Sequence, residues 1–354
     1  MATLVQLLNV ENYRPCDWDL KKDAAGREYW ADVFRENITL HSDAVTRAYP
    51  SLNHGVLAEF ERRYAEGIQA VLDHPEKYNH IDILTFVGIR QNLQREFGFL
   101  DPYKPQKDIE NAIALKLLPD ILREIDATTN ADRPELLACN LMAGNLFDMG
   151  ASAAIEHYAN HEADFFRLRD SLPRRPWFVD DLSAWRDFWQ NGGCRHAAIF
   201  VDNAGSDIIL GWLPTARWIC EQGGKVTLLA NTEPTLNDVT AHECEELFKK
   251  AAELDLGIMQ ALANNRLSVI GSGNWAPLLD LRDLTQECVS AVRDADLIAL
   301  HGMGRGLETN FHARFSCNAL WTGVLKDEGV ATYMGGKLFD CVFRFHPVSN
   351  GRVG

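Results

Sequence analysis

The chain has 354 residues, 46% of them hydrophobic and 24% charged. That length exceeds one ordinary core and predicts two lobes of a globular protein. The net charge of -15 argues against a nucleic-acid surface and an anionic membrane partner, but it fits attraction of divalent cations to clustered carboxylates.

The opening stretch MATLVQLLNVENYRPCDW turns polar too soon for a secretory signal, and no run approaches the ~20 apolar residues of a membrane span. From Val56 to Leu72 apolar residues fall at 56, 57, 60, 64, 68, 71 and 72, one stripe at helical spacing that Pro75 ends. IDILTFVGIRQNLQREFGFL and DIENAIALKLLPDILREI continue the helical pattern, as do HEADFFRLRDSL and DDLSAWRDFWQN, with Asp180 or Asp181 as N-cap of the last. The eight cysteines, at 16, 139, 194, 220, 244, 288, 317 and 341, form no CxxC pair. They read as thiols in a reducing compartment, so a cytoplasmic location is expected.

Near residue 192 the pattern changes. HAAIFV, KVTLLAN, RLSVIGS and DLIALHG read as strands, and SDIILGWLPTARWICEQGG, DVTAHECEELFKKAAEL and LRDLTQECVSAVRDA as the helices between them. TGVLKD and KLFDCVFRF add two strands around a short helix. The alternation predicts an α/β fold with a mostly parallel sheet covered by helices. The expected division is a helical N-terminal region over 1–190, contributing to a cleft, and a metal-binding α/β/α domain over 191–354.

Ligands of open α/β sheets bind beyond the carboxyl ends of the strands. Here those ends are polar or Gly-rich: Asp202 and Asn203 after the first strand, NTEPTLNDVT with Asn231, Asn237 and Asp238 after the second, GSGNWAP after the third, and HGMGRGLETN after the fourth. Asp202, Asn203 and Asp238 are hard oxygen ligands suited to Mg²⁺ or Mn²⁺ with a phosphate. Gly302, Gly304 and Gly306 admit close approach of an anion, and Arg305 can meet a phosphate. Each feature also has a plainer reading: Asp238 as a helix N-cap, Asp202–Asn203 as an Asx-turn, GMGRG as a turn. Ala204, two residues beyond Asp202, departs from the DxD of covalent haloacid-dehalogenase-type phosphatases, and neither GxSxG nor a P-loop lysine motif occurs. A methyltransferase-like transferase on a Rossmann-like sheet and a catalytically decayed binding module remain as other classes.

FVDNAGSDIILGWLP, NTEPTLNDVT, GMGRGLETN and GGKLFDCVF, with AGNLFDMGA and RPWFVDDLSAW upstream, resemble the damage-control metal-dependent phosphatases, and most of all the plant-type subfamily that also forms the C-terminal region of pantothenate kinase four-type proteins. The resemblance implies a helical N-terminal region before a three-layer α/β/α Rossmann-like domain. It implies hydrolysis of small phosphate monoesters, phosphopantetheine-like or sugar phosphates, supported by Mn²⁺, Co²⁺, Ni²⁺ or Mg²⁺. It puts the metal on Asp202, Asn203 and Asp238, with Arg305 on the phosphate. His301, Gly302, Met303 and Gly304 line the substrate, with Asn145, Asp148 and Lys337 as further contacts. His301 stands where that motif begins with Glu. Whether water or a carboxylate attacks phosphorus stays open.

Overall fold

A computed structural model of the protein describes residues 1–147 and 162–348. Seven strands pair into one sheet: β1 (Val179–Asp180), β2 (His196–Phe200), β3 (Lys225–Ala230), β4 (Leu267–Gly271), β5 (Leu297–His301), β6 (Asn318–Val324) and β7 (Cys341–His346). The spatial order is β1-β7-β6-β5-β2-β3-β4. Pairing is parallel from β6 through β5, β2 and β3 to β4, and antiparallel between β6 and β7. The KLFDCVFRF run thus returns against its neighbour, and β1, only two residues long, pairs among the described residues with β7 alone.

The central strands β2 and β5 are buried on both faces, which is why HAAIF reads as an unbroken apolar run and not an alternating one. Ala197, Ile199, Leu228 and Ala299 enter one core, with α4 (Lys104–Ala127), α5 (Arg133–Phe147) and α8 (Leu213–Glu221). Ala198, Phe200, Leu229 and Leu300 enter the other, with α1 (Ala24–Ala48), α2 (His54–Asp73), α3 (Ile83–Glu96) and the segment before α1. Between α5 and α8 come α6 (Glu162–Asp170) and α7 (Leu182–Gln190); after α8 come α9 (Ala241–Ala252), α10 (Leu256–Ala263), α11 (Gln286–Ala291) and α12 (Glu328–Met334).

Two sequence expectations shift for identifiable reasons. The helix expected over LRDLTQECVSAVRDA is only α11, capped by Thr285. Leu281 and Leu284 are taken by the N-terminal segment, their carbonyls accepting from Leu4 and Ala2, and the Gln6 side chain donates to Val292 O. At α7, Asp181 occupies the N-cap position, but its carboxylate accepts the Phe345 N–H (3.0 Å). Asp180 Oδ1 accepts the Leu182 N–H instead.

No helix among the described residues is long and apolar enough to cross a membrane. All eight cysteines are free thiols, six of them buried.

Candidate active site

β2 lies between β5 and β3, while the chain visits β3 next and β5 only later. The carboxyl ends of β2 and β5 therefore flank the switch point where α/β sheets open a crevice. Both strands lead into a π-helical turn, Asp207–Trp212 after β2 and Met303–Glu308 after β5. Such turns carry an extra residue per turn and recur at functional sites.

Asp202 and Asn203 follow β2 directly. Asp238 is brought to them by a backbone bridge to Asn203: Ala204 N–H donates to Asn237 O and Val239 N–H to Asp202 O, both 3.0 Å. Asp238 is not the cap of α9. Thr240 is, in a reciprocal capping box with Glu243. Asp202, Asn203 and Asp238 are 6%, 3% and 2% exposed, so two carboxylates and an amide are desolvated together.

Arg305, inside the second π-helical turn, is 2% exposed. Its guanidinium bridges the acids: one nitrogen donates to Asp202 Oδ1, and the other to Asp238 Oδ2 (2.6 Å) and Asn231 Oδ1 (2.8 Å). Asn231, just past β3, also donates to Asp238 Oδ2 (3.0 Å). Arg305, expected on a phosphate, ties two carboxylates together here. Burial pushes the Asp238 carboxyl up to about 6, against the guanidinium that draws it down, and the charge of Asp202 adds to the rise.

A third acid, Asp207, completes the cluster. Its Oδ2 accepts from the Asn203 backbone and side chain (3.2 and 3.1 Å) and from Asn145 Nδ2 (3.3 Å). Its Oδ1 lies 2.6 Å from His301 Nε2, and His301 Nδ1 lies 2.7 Å from Thr322 Oγ1 on β6. Burial alone would raise the Asp207 carboxyl; the imidazole outweighs it and holds the group below the usual carboxylate range.

Asn145 arrives from α5. Gly144 makes this possible, because a Cβ there would meet Asp207 Cα and Ser206 O at 2.9 Å, so the helix packs against the π-helical turn. The amide is fully buried; its nitrogen also donates to Asp202 (3.3 Å) and its oxygen accepts Val324 N–H (3.1 Å).

Gly302 has φ +90° and a Cβ there would lie 2.0 Å from Asp202 Oδ2. Its N–H donates to Thr322 O, and Gly306 N–H donates back to Gly302 O. Those two N–H groups of the expected anion loop are therefore engaged within the fold. Met303 Sδ accepts the Lys326 N–H (3.2 Å).

The structure thus gathers Asp202, Asn203, Asp238, Arg305, His301, Asn145 and Gly302, whereas Gly304 packs against Pro277. Lys337 is exposed in the turn before β7, where its N–H donates to Asp340, and no hydrogen bond among the described residues links it to the cluster. Asp148 lies outside the described residues. Asp207, Asn231 and Thr322 join the site without having been singled out as site residues. Only the position of Asn231 at a polar strand end signalled it.

The family profile described as the damage-control phosphatase ARMT1-like domain matches residues 35–342. The chain belongs to that family. A damage-control phosphatase of Arabidopsis thaliana is 35% identical over 349 residues, covering 96% of this chain and 95% of the relative. The 4'-phosphopantetheine phosphatase of Mus musculus is 30% identical over 400 residues, 98% of this chain and 48% of the relative. Pantothenate kinase 2 of Arabidopsis thaliana is 33% identical over 377 residues, 97% and 41% respectively. The chain thus spans less than half of the two longer relatives. The crystal structure of a DUF89 family protein from Pyrococcus horikoshii superposes with a TM-score of 0.64 over 90% of this chain and 96% of that one; at 17% identity it attests the fold alone. This damage-control phosphatase is a hydrolase of small phosphorylated metabolites by family.

Proposed function

We propose that this chain is a divalent-metal-dependent phosphomonoesterase whose centre is the Asp202–Asn203–Asp238 cluster. The observation that carries the reading is convergence: the buried carboxylates of Asp202 and Asp238 share the guanidinium of Arg305, and that of Asp207 lies beside them on the His301 imidazole. Burying ionised groups without enough counter-charge is costly, and the raised Asp238 carboxyl is that cost made visible. Two carboxylates and an amide oxygen are the hard donors that Mg²⁺ or Mn²⁺ takes, with Co²⁺ and Ni²⁺ as further candidates. The residues therefore fit the ion that the family resemblance implies.

When bound, the ion supplies positive charge to a phosphoryl oxygen. Asp202, Asn203 and Asp238 would hold the ion, and Arg305, which bridges two of them, would then have donors to offer the remaining phosphoryl oxygens. Asn145 holds Asp202 and Asp207 in register from α5. His301 orients Asp207, which fixes Asn203 through its backbone and side chain. Gly302 and Met303 form the wall on the substrate side, where only glycine fits beside Asp202.

The substrate class is a small metabolite carrying a terminal phosphate monoester. The 4'-phosphopantetheine phosphatase relative supports phosphopantetheine-like compounds, with sugar phosphates as the second class. Eight free thiols support a reducing, cytoplasmic setting.

A phosphomonoester panel on chelator-treated protein, with Mn²⁺, Co²⁺, Ni²⁺ or Mg²⁺ restored singly, tests the reading beside Asp202→Ala. We expect turnover only with metal and only in the unsubstituted protein. Metal-independent turnover, or an unaffected variant, would overturn the assigned centre.

A further inference from the structure

A cavity of about 400 Å³ opens between the Met303–Glu308 turn, the N-terminal segment and α12. Its walls include Trp18, Phe311, Tyr333 and Met334. Trp18 and Tyr333 stack in parallel, their centroids 4.7 Å apart. Two acids line it and no lysine or arginine does. Asp17 is exposed and faces the His312 imidazole at 3.4 Å. Glu308 differs: its Oε1 is buried and accepts no hydrogen bond from the described residues.

A carboxyl oxygen shut from water without a donor is costly to the fold. Burial, followed by the charges of Asp327 and Asp82, pushes the Glu308 carboxyl well above the usual carboxylate range. Asp82 and Asp327 have partners of their own, His80 at 3.3 Å and the Tyr29 hydroxyl at 3.0 Å. The mechanism proposed above does not use Glu308. What the cavity lacks is a donor carrying positive charge. What it offers is an acid among aromatic rings and a thioether, the setting in which organic cations bind. Its volume falls in the range of small-molecule sites.

We propose that this cavity is a binding site for a small organic ammonium compound with an apolar body, its charged nitrogen on Glu308 and its body against Trp18, Phe311 and Tyr333. The ammonium meets the part of the Glu308 side chain that lines the cavity and offsets the acid cluster around it. The site is separate from the phosphatase centre: Arg305 and Glu308 sit three positions apart in one turn and face different neighbours, the carboxylate cluster and this cavity.

The test is direct binding to the full chain, without metal or phosphate ester, by calorimetry and by thermal unfolding. The probes are phenethylammonium, uncharged 2-phenylethanol and anionic phenylacetate. Phenethylammonium is expected to bind saturably and raise the melting temperature, at least about tenfold more tightly than either control. Glu308→Gln, an isosteric change, is expected to weaken it by about tenfold or more, and Trp18→Leu to weaken it independently. The proposal fails if phenethylammonium shows no saturable binding to the unsubstituted chain below about 10 mM. It fails equally if 2-phenylethanol binds as well, or if whichever of the two variants folds binds the cation undiminished. Because the readout needs no turnover, this result and the phosphatase assay stand or fall separately.

Discussion

His301 at the end of β5 and Asp207 in the turn after β2 share a hydrogen bond of 2.6 Å with both side chains buried. The contact joins the two strands that flank the switch point, and it places an imidazole at the position where the family resemblance expects Glu. Asp207 has no exposure to water to fall back on. His301→Leu should therefore destabilise the fold by about 3 kcal/mol, the scale for breaking one side of a buried pair. His301→Gln, whose amide can still donate to Asp207, should recover most of that. Urea denaturation of both variants measures the difference.

Gly302→Ala tests how tightly the turn is built against Asp202. The added methyl would lie 2.0 Å from Asp202 Oδ2, at a φ of +90°. Strain of that kind costs about 2 kcal/mol, and displacement of Asp202 by about 1 Å should lower turnover about a hundredfold. Thermal unfolding and metal-dependent phosphatase assays read the two effects. A variant with unchanged turnover would place the chemistry elsewhere.

Lys107 on α4 is fully buried between Asp101 and Glu243, 2.8 Å from each. Its Nζ is also 3.5 Å from the Asp238 carbonyl. Glu243 belongs to the capping box that starts α9, so one ammonium holds a helix start and the backbone of a site aspartate together. Lys107→Met leaves two carboxylates facing each other without a cation and should cost about 3 kcal/mol. Metal affinity, read by titration of the folded variant, should fall with it.

Tyr13 reaches the site through one intermediate. Its hydroxyl donates to Asn310 Oδ1 (2.6 Å) and accepts Leu281 N–H (3.1 Å), and Asn310 Nδ2 donates to the Arg305 carbonyl (2.8 Å). Tyr13→Phe strips a buried acceptor and a buried donor of their partner, at about 2 kcal/mol. If the link positions Arg305, kcat should fall more than KM rises, whereas a purely structural role would lower the melting temperature and leave kcat per folded molecule unchanged.

These residues divide by how local their signal is. Asp202, Asn203 and Asp238 stand out in the sequence because a polar side chain at the end of a buried strand breaks an apolar run, and that break is visible within ten residues. Asp207 carries no such mark. It sits inside a stretch that reads as a helix, and its partner His301 is 94 residues away. Tyr13 is the same case at greater range. Periodicity gives α2, α3 and α4 each an apolar stripe, but a stripe does not say which face of the sheet it meets, and the structure sends α2 and α3 to one core and α4 to the other. β1 leaves no mark in the sequence because two residues hold no alternation; pairing with β7 defines it. The bridging role of Arg305 was hidden for a further reason: GMGRG specifies a tight turn, while what the arginine meets depends on acids from two other strand ends.

His41 gives a pH dependence away from the site. It lies on α1, 1% exposed, stacked on Phe60 at 5.4 Å, with Nδ1 3.5 Å from the Tyr103 hydroxyl. Burial, and then the charge of Arg90, press its imidazole down to about 3. In the unfolded chain the same group titrates near about 6.5. Between those values the unfolded state binds the extra proton, so stability is complete above about pH 6.5 and falls as pH drops toward about 3. The limiting slope for one group is about 1.4 kcal/mol per pH unit, which amounts to about 2 kcal/mol between pH values of about 7 and about 5. His41→Phe keeps an aromatic ring against Phe60 and removes the proton. Its stability relative to the unsubstituted chain should therefore improve by that amount over the same interval, as read from urea midpoints. Parallel curves for the two proteins would show that acid acts through other groups.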